Sequence, residues 1–310
     1  MSYLTTAPRR TLKQYLGVTW RGFVMGAADV IPGVSGGTMA FILGIYDELI
    51  DAIRAAIPFL GLAVRLRFRE AFAVLPWRFL LALLVGIGTA ILSLAKFLGW
   101  ALETHPSLVF ALFFGLIVAS VHVVRNHVRK WTALTVGVVA VAAVLTYVFV
   151  GLTPTETPNG LWFIFLSAAI AICAMILPGI SGAFVLVLLG KYEYVLGALV
   201  AFDVPVIAVF IAGAATGIIA FSNVLRWLLD HYHDITVAVL VGFMIGALRK
   251  VWPWKEAPGA DGIVVGDPNI LPAAFTTDVA LALVLAVVGA VAVLLLEWAG
   301  ARRGDEAPRA

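Results

Sequence analysis

A short helix-breaking segment interrupts two long apolar runs of this chain, at positions 146 residues apart. The first reads Pro-Gly-Val-Ser-Gly-Gly from Pro32, and the second reads Pro-Gly-Ile-Ser-Gly-Ala from Pro178. Proline removes a backbone donor and glycine permits left-handed conformations, so a helix ends at each of them. At membrane depth the freed backbone groups must be satisfied by the protein itself. Two such breaks at matching places therefore need a structural or functional reason.

The amino-acid composition indicates that these apolar segments lie in a membrane. Of 310 residues, 62% are hydrophobic and 13% are charged, and the mean hydropathy is +1.04. A soluble domain needs more polar surface than this, so the sequence predicts an all-α polytopic membrane protein. A helix needs about 20 apolar residues to cross a bilayer, and six segments are predicted as full spans: 79–101, 106–124, 131–152, 204–229, 235–251 and 277–299.

Two further apolar regions, 17–57 and 161–201, contain the breakers. Each breaker leaves arms of about 15 to 20 residues on either side, close to spanning length. Such regions are typical of broken helices or re-entrant hairpins, because irregular backbone is tolerated in a membrane only inside protein or beside a cavity. A hairpin and a double crossing both fit this pattern.

The two halves of the chain are related in sequence. Residues 32–53 align with 178–199 with eight of 22 positions identical, and 84–121 aligns with 211–248 through shared Gly, Thr and Trp. Each half has one broken region and three spans, so the second half should be inserted upside down. This predicts the inverted-repeat plan of secondary transporters, with the two breakers facing each other near the membrane midplane. The predicted repeats are 17–152 and 161–299.

The basic residues indicate how the chain is oriented. Sixteen of the 21 lysines and arginines fall on one predicted side, which makes both termini cytoplasmic under the positive-inside rule. The net charge of +3 comes mostly from this bias, so no basic patch is left to bind nucleic acid. The connector 54–78 is predicted to be a cytoplasmic amphipathic segment attracted to membrane lipids, and 252–276 an external loop.

The breakers also suggest a ligand. Their glycines allow close approach and leave N–H groups free at the start of the following half-helix, where the helix dipole favours an anion. Phosphate or carboxylate is the expected ligand class, with hydroxyl groups as further donors. The candidate residues of this anion site are Gly33, Ser35, Gly36, Gly37, Thr38, Gly179, Ser181 and Gly182.

Three carboxylates in the broken regions are candidates for ion coupling. Asp29 lies one turn before the first breaker, and an acidic residue at bilayer depth is costly and usually functional. Coupling to H⁺ or Na⁺ is one interpretation, and a helix cap or salt bridge is the alternative. Asp47 and Glu193 are equivalent residues at the arm ends. They are candidates for coupling or for structural pairing with Arg54 or Lys191.

Two cations are candidates for contact with a phosphate. Arg21 could meet it at the cytoplasmic side, or it could extend to the membrane surface. Lys191 should lie near the outer end of its arm, where it could receive phosphate or anchor the helix at the interface. The five histidines sit at span ends without metal-binding spacing, so no metal or other cofactor is expected. The pairs Gly213/Gly217 and Gly242/Gly246 indicate helix packing.

Three stretches resemble the signatures of the bacterial and archaeal polyprenyl-phosphate translocases. They are 21–38 with Leu43-Gly44-Ile45-Tyr46 after it, 174–182 with 189–193, and Gly246-Ala-Leu-Arg-Lys-Val-Trp-Pro-Trp254. The resemblance implies a plasma-membrane protein that returns undecaprenyl phosphate, the C55 lipid carrier of cell-envelope and peptidoglycan synthesis, from the outer to the inner leaflet. It implies a lipid phosphate as substrate and no enzymatic step.

Two other functions remain open at this point. The same architecture could carry a small soluble anion, in which case its site should open to water and not sideways to lipid. A membrane polyprenyl-pyrophosphate phosphatase is the other, although the loops lack an obvious His/Arg/Ser catalytic cluster. The sequence gives no indication of an oligomeric partner.

Overall fold

The computed structural model describes residues 10–29, 36–255 and 268–304. These residues form fourteen helices, and the β-structure among them is one isolated bridge between Lys255 and Asn269. The predicted all-α fold is therefore confirmed for this part of the chain. The helices are α1 (Leu12–Asp29), α2 (Gly36–Ile42), α3 (Tyr46–Arg54), α4 (Ala56–Val64), α5 (Phe68–Val74), α6 (Trp77–Thr104), α7 (Pro106–Arg125), α8 (Ala133–Phe149), α9 (Leu161–Ile176), α10 (Gly182–Leu188), α11 (Tyr192–Val200), α12 (Val204–His231), α13 (His233–Ala247) and α14 (Thr277–Gly304).

Four of these helices are long and apolar enough to cross a membrane: α6, α7, α12 and α14. A fifth span is counted if the bent pair α10 and α11 is taken as one. The chain is thus a multi-pass membrane protein. The predicted spans 131–152 and 235–251 are shorter than expected, because α8 has 17 residues and α13 has 15. Thr132 caps the start of α8 with its side chain, and the charged residues Arg249 and Lys250 follow α13.

The arm after each breaker is divided into two short helices, a division that the sequence pattern did not predict. The first arm divides into α2 and α3, of seven and nine residues, and the second into α10 and α11, also of seven and nine. The angle between α10 and α11 is 102°. The two helices of each arm are separated by a short connection that contains a glycine shared by the two halves.

These shared glycines, Gly44 and Gly190, adopt left-handed conformations with φ of 67° and 61°. The residue after each donates its N–H across the helix end, from Ile45 to the Ala40 carbonyl at 3.0 Å and from Lys191 to the Leu186 carbonyl at 2.8 Å. This is the glycine-terminated helix end in which the free carbonyls of the last turn are satisfied. The repeated Leu-Gly of the sequence is therefore a repeated helix stop.

Helix α1 packs on α6 in the first half, and α9 packs on α12 in the second. Glycines bring each pair together: a Cβ at Gly86 would overlap the Thr19 carbonyl, and a Cβ at Gly213 would overlap the Phe165 carbonyl. The remaining long helices pair across the halves, α7 with α14 and α8 with α13. Gly242 and Gly246 lie against α8 in the same manner. The predicted packing role of the paired glycines is confirmed.

The connector between α3 and α6 contains α4 and α5. The two helices pack through Phe59 and Phe72, whose ring centroids are 5.5 Å apart. Helix α4 has no buried residue, and Val64 and Leu66 at its end are 82% and 77% exposed. Basic residues alternate with this apolar surface at Arg65, Arg67 and Arg69.

Candidate functional site

The two breakers meet inside the protein. The backbone N–H of Gly179 donates to the hydroxyl of Thr38 at 3.0 Å, in a buried contact between residues of different halves. The Tyr46 hydroxyl donates to the carbonyl of Ile176 at 3.3 Å. A Cβ at Gly37 would overlap the same carbonyl, so this position needs glycine. The start of α2, directly after the first breaker, therefore contacts the second breaker, while Pro32 to Ser35 lie outside the described residues.

The second breaker connects α9 to α10, and all of its residues are described. Its glycine, Gly179, has φ of 90°, and a Cβ there would stand only 2.9 Å from the Phe243 carbonyl and 3.0 Å from the Met244 Cα. Helix α10 then begins after Ser181, whose hydroxyl accepts the Phe184 N–H at 3.4 Å. In the first breaker, the predicted residues Gly33 and Ser35 lie outside the residues that the structure describes.

Asp29 caps the helix that follows the first breaker. Its Oδ1 accepts the backbone N–H of Gly36 at 2.6 Å, and a Cβ at Gly36 would overlap the carboxylate. The helix-cap alternative for Asp29 is therefore confirmed, and its role in coupling stays a prediction. The repeat offset of 146 places Met175 at the equivalent position of the second half. The carboxylate of the first half therefore has an uncharged counterpart at this position of the second half.

A cavity of about 230 Å³ lies where the end of α1 meets α9, α10 and α12. Its polar contributors are the Asp29 carboxylate, the Ser181 hydroxyl and the start of α10 at Gly182. It is much larger than a single water, whose share of liquid volume is about 30 Å³. The rest of the lining is apolar: Ala168, Ala171, Ile172, Met175, Ile180, Ala183, Leu186, Phe210 and Ala214.

The cavity opens on the outer surface of the helices. Ala183, on its lining, is exposed, and Met175 is 41% exposed. The neighbouring surface carries Ile170 on α9 and Ile211 on α12, which are 46% and 60% exposed. A polar end within an apolar surface suits a ligand with a charged head and a hydrocarbon tail.

The predicted site residues fall into three groups. The cavity brings together Asp29, Ser181 and Gly182. Thr38 is 1% exposed, and Gly36, Gly37 and Gly179 are buried with it around the contact between the breakers. Arg21, Lys191, Asp47 and Glu193 are not among the residues that line the cavity.

Lys191 is buried, with 1% of its surface exposed, and its predicted roles in receiving phosphate or anchoring the helix at the interface stay predictions. Its ammonium donates to the Thr157 carbonyl at 2.8 Å and to Asn159 Oδ1 at 2.6 Å. The Thr157 hydroxyl in turn donates to the carbonyl of Leu189. Lys191 therefore fastens the segment before α9 onto the bend between α10 and α11.

Asp47 pairs with Arg226 of α12, at 3.4 Å, and not with the predicted Arg54. The same guanidinium lies 3.5 Å from Asp51 and 3.1 Å from Asp230, so it links the end of the first arm to the second half. Sequence reasoning missed this cluster. The available signal was the spacing of four residues between Asp47 and Asp51 on α3, and between Arg226 and Asp230 on α12, which places each pair on one helix face.

Arg21 and Glu193 lie away from the cavity lining. Arg21 is half-buried in α1, eight residues before Asp29, which is about 12 Å along a helix. Glu193 is exposed in the first turn of α11. Its predicted pairing with Lys191 is wrong, because the Lys191 ammonium is held by Thr157 and Asn159.

Comparison with known proteins identifies a family. A family model described as VCA0040-like, undecaprenyl phosphate translocase-like, matches residues 25–261. The chain is 44% identical over 250 residues to a polyprenyl-phosphate transporter of Vibrio cholerae serotype O1, covering 78% of this chain and 79% of that protein. It is 30% identical over 251 residues to a polyprenyl-phosphate transporter of Staphylococcus aureus, covering 75% and 84% respectively. No solved structure matches. These names describe transporters and not enzymes.

Proposed function

The chain belongs to the undecaprenyl phosphate translocase-like family, and we propose that it returns undecaprenyl phosphate from the outer to the inner leaflet of the plasma membrane. The observation that carries this proposal is the cavity where the end of α1 meets α9, α10 and α12. Its polar end holds Asp29 and Ser181, and its rim at Met175 opens beside an apolar helix surface. A lipid phosphate can enter such a cavity sideways while its tail stays in hydrocarbon.

A small soluble anion is less well supported. It would have to cross the apolar rim without a hydrocarbon tail to remain in the membrane, and would lose its hydration there. A lipid phosphate loses hydration only at its head group. The cavity can replace part of that hydration with the Ser181 hydroxyl and the start of α10. The lateral opening therefore favours the lipid substrate.

In this proposal the phosphate contacts the Ser181 hydroxyl and the backbone at Gly182. Gly33 and Ser35 of the first breaker are proposed to complete the site, since they immediately precede Gly36. The N–H of Gly36 is already bonded to Asp29, and that of Gly179 to Thr38. Gly37 and Thr38 then hold the two breakers together beside the ligand, and Arg21 is kept as a candidate contact at the cytoplasmic side.

Asp29 is the proposed coupling residue. A carboxylate and a phosphate in one cavity repel each other strongly when water is excluded. Uptake of H⁺ by Asp29, or of Na⁺ beside it, would remove this repulsion as the phosphate enters. Ion binding and phosphate binding would thereby depend on each other. We place coupling at Asp29 and not at Asp47 or Glu193, because Asp29 alone of the three lines the cavity.

We further propose that the two halves are inverted repeats with both termini in the cytoplasm. The equivalent pairs α1 with α6 and α9 with α12 support this, as do the exchanged pairs α7 with α14 and α8 with α13. The matched helix stops at Gly44 and Gly190 support it too. In such transporters the broken helices form the site and the halves move around it.

The test is a surface-exposure assay in cells depleted of the protein and of redundant transporters. An impermeant phosphate-binding label should detect undecaprenyl phosphate accumulating in the outer leaflet. Unchanged labelling would refute the proposed function. Rescue by a Ser181→Leu variant should fail, whereas Ser93→Leu should rescue, because Ser93 is exposed on α6 and its hydrogen bonds within the described residues go to Thr89 and Ala90 of its own helix. Full rescue by Ser181→Leu would show that the phosphate binds at a site that does not include Ser181.

A further inference from the structure

The third signature, Gly246–Trp254, contains an arginine that the transport cavity does not use. Arg249 follows α13, and its Nη1 donates to the carbonyl of Tyr147 at the end of α8, at 2.8 Å. The guanidinium also lies 4.5 Å from the centre of the Tyr147 ring. A Cβ at Gly151 would overlap this guanidinium. Tyr147 and Gly151, at the end of α8, therefore form a close-fitting binding site for the Arg249 guanidinium, the seat.

The contacts of the seat with Arg249 come from uncharged groups. Among the described residues, no carboxylate oxygen lies within 4.0 Å of an Arg249 nitrogen. A guanidinium has five N–H donors, and within the described part of the chain its contacts are a neutral carbonyl and an aromatic face. Glu156, on the neighbouring segment, is exposed and does not form this pair. A positioned arginine without a carboxylate is suited to a planar, doubly bonded contact with phosphate.

Two lysines add charge next to this seat. The Lys250 ammonium lies 5.1 Å from the centre of the Phe184 ring on α10. The Lys255 ammonium donates to the Arg249 carbonyl at 3.2 Å and to Asn269 at 2.8 Å, which fixes the chain after α13. Phe184 is two residues from Gly182, where α10 begins at the cavity. The basic cluster and the cavity thus flank the same short helix.

We propose that Arg249, with Lys250 beside it, is a receiving site that binds a phosphate monoester at the membrane surface before it enters the cavity. This inference rests on the proposed function, which places the ends of α8 and α13 on the outer side. The chemistry is that of a phosphate group with two negative charges. A lipid head group and free inorganic phosphate both carry it.

The first arm of the test measures transport of undecaprenyl phosphate into vesicles containing the purified chain. Arg249→Gln should raise the half-saturating substrate concentration about tenfold, as expected for loss of one charge-assisted hydrogen bond, and leave the maximal rate unchanged. Arg249→Lys should recover part of this loss. Gly151→Ala should shift it in the same direction, because it displaces the guanidinium without removing its charge. Arg125→Gln, an exposed arginine at the end of α7, is the matched control and should behave as wild type.

The second arm measures binding to the detergent-purified protein by calorimetry, using farnesyl phosphate and inorganic phosphate. Weaker binding of either probe by Arg249→Gln supports the site, and loss with farnesyl phosphate alone identifies the lipid head group as its ligand. Equal binding of both probes by wild type and Arg249→Gln overturns the inference, as does a lower maximal rate with an unchanged half-saturating concentration. If the wild type moves no undecaprenyl phosphate, the proposed function fails, while this binding arm still decides the role of Arg249.

Discussion

The hydrogen bond between the two breakers can be tested with a nearly isosteric change. Thr38→Val replaces the hydroxyl that accepts the Gly179 N–H at 3.0 Å by a methyl group. Because Thr38 is 1% exposed, no water can replace it, and the N–H is left unsatisfied. Such a buried donor costs about 1–3 kcal/mol. For a chain of this size that is a decrease of roughly 2–6 °C in melting temperature.

The measurement is thermal unfolding of the purified protein, with transport measured in parallel in vesicles. Thr38→Ser is the control, because it keeps the hydroxyl and removes only a methyl group. We expect Thr38→Val to lower both stability and transport rate, since the bond joins the two halves at Gly179, two residues before Ser181 of the cavity lining. A Thr38→Val protein as stable and as active as Thr38→Ser would refute the reasoning and make the contact incidental.

Three further predictions test ion coupling at Asp29, the structural role of Lys191 and the packing role of the helix-contact glycines. Asp29→Asn keeps an oxygen to accept the Gly36 N–H and removes the charge, so it should fold normally but lose the dependence of transport on an imposed H⁺ or Na⁺ gradient; full retention of that dependence would exclude Asp29. Lys191→Met should destabilise the protein by about 3 kcal/mol through loss of two charge-assisted bonds, seen as a lower melting temperature with an unchanged half-saturating concentration; a binding role would shift that concentration instead. Gly213→Ala should destabilise by about 1–3 kcal/mol through overpacking, whereas Ala at Gly137, which has open space around it, should stabilise α8 by up to ~1 kcal/mol; equal shifts in melting temperature would contradict this packing argument.

Features encoded by adjacent residues could be predicted. The Pro-Gly breakers end helices because of their own backbone chemistry, and Gly242 and Gly246 mark a helix contact because their spacing puts them on one face. The positions of both breaks and the contact between them followed from the repeat. The helix stop inside the arm after each breaker was not predicted. Its signal, a Leu-Gly pair shared by the two halves, was present in the sequence at Gly44 and Gly190.

Partners far apart in the chain could not be predicted in this way. Arg226 meets Asp47 across 179 residues, and no local pattern selects it over other arginines. Lys191 was predicted near the outer end of its arm, as a phosphate contact or an interface anchor, because it lies ten residues past Ser181. Its actual acceptors are in an irregular segment, 32 and 34 residues earlier, whose path is set by tertiary packing.

The difference between Asp29 in the first half and Met175 in the second affects which state of the transporter is more stable when it is empty. Asp29 satisfies the helix start of the first half with a carboxylate, while Met175 stands at the equivalent place in the second. If transport exchanges the roles of two inverted halves, identical halves would give two end states of equal free energy. Because Met175 carries no charge where Asp29 carries a carboxylate, this pair makes the end states unequal. We expect the empty carrier to face one leaflet for most of the time, and the phosphate and its coupled ion to shift that balance.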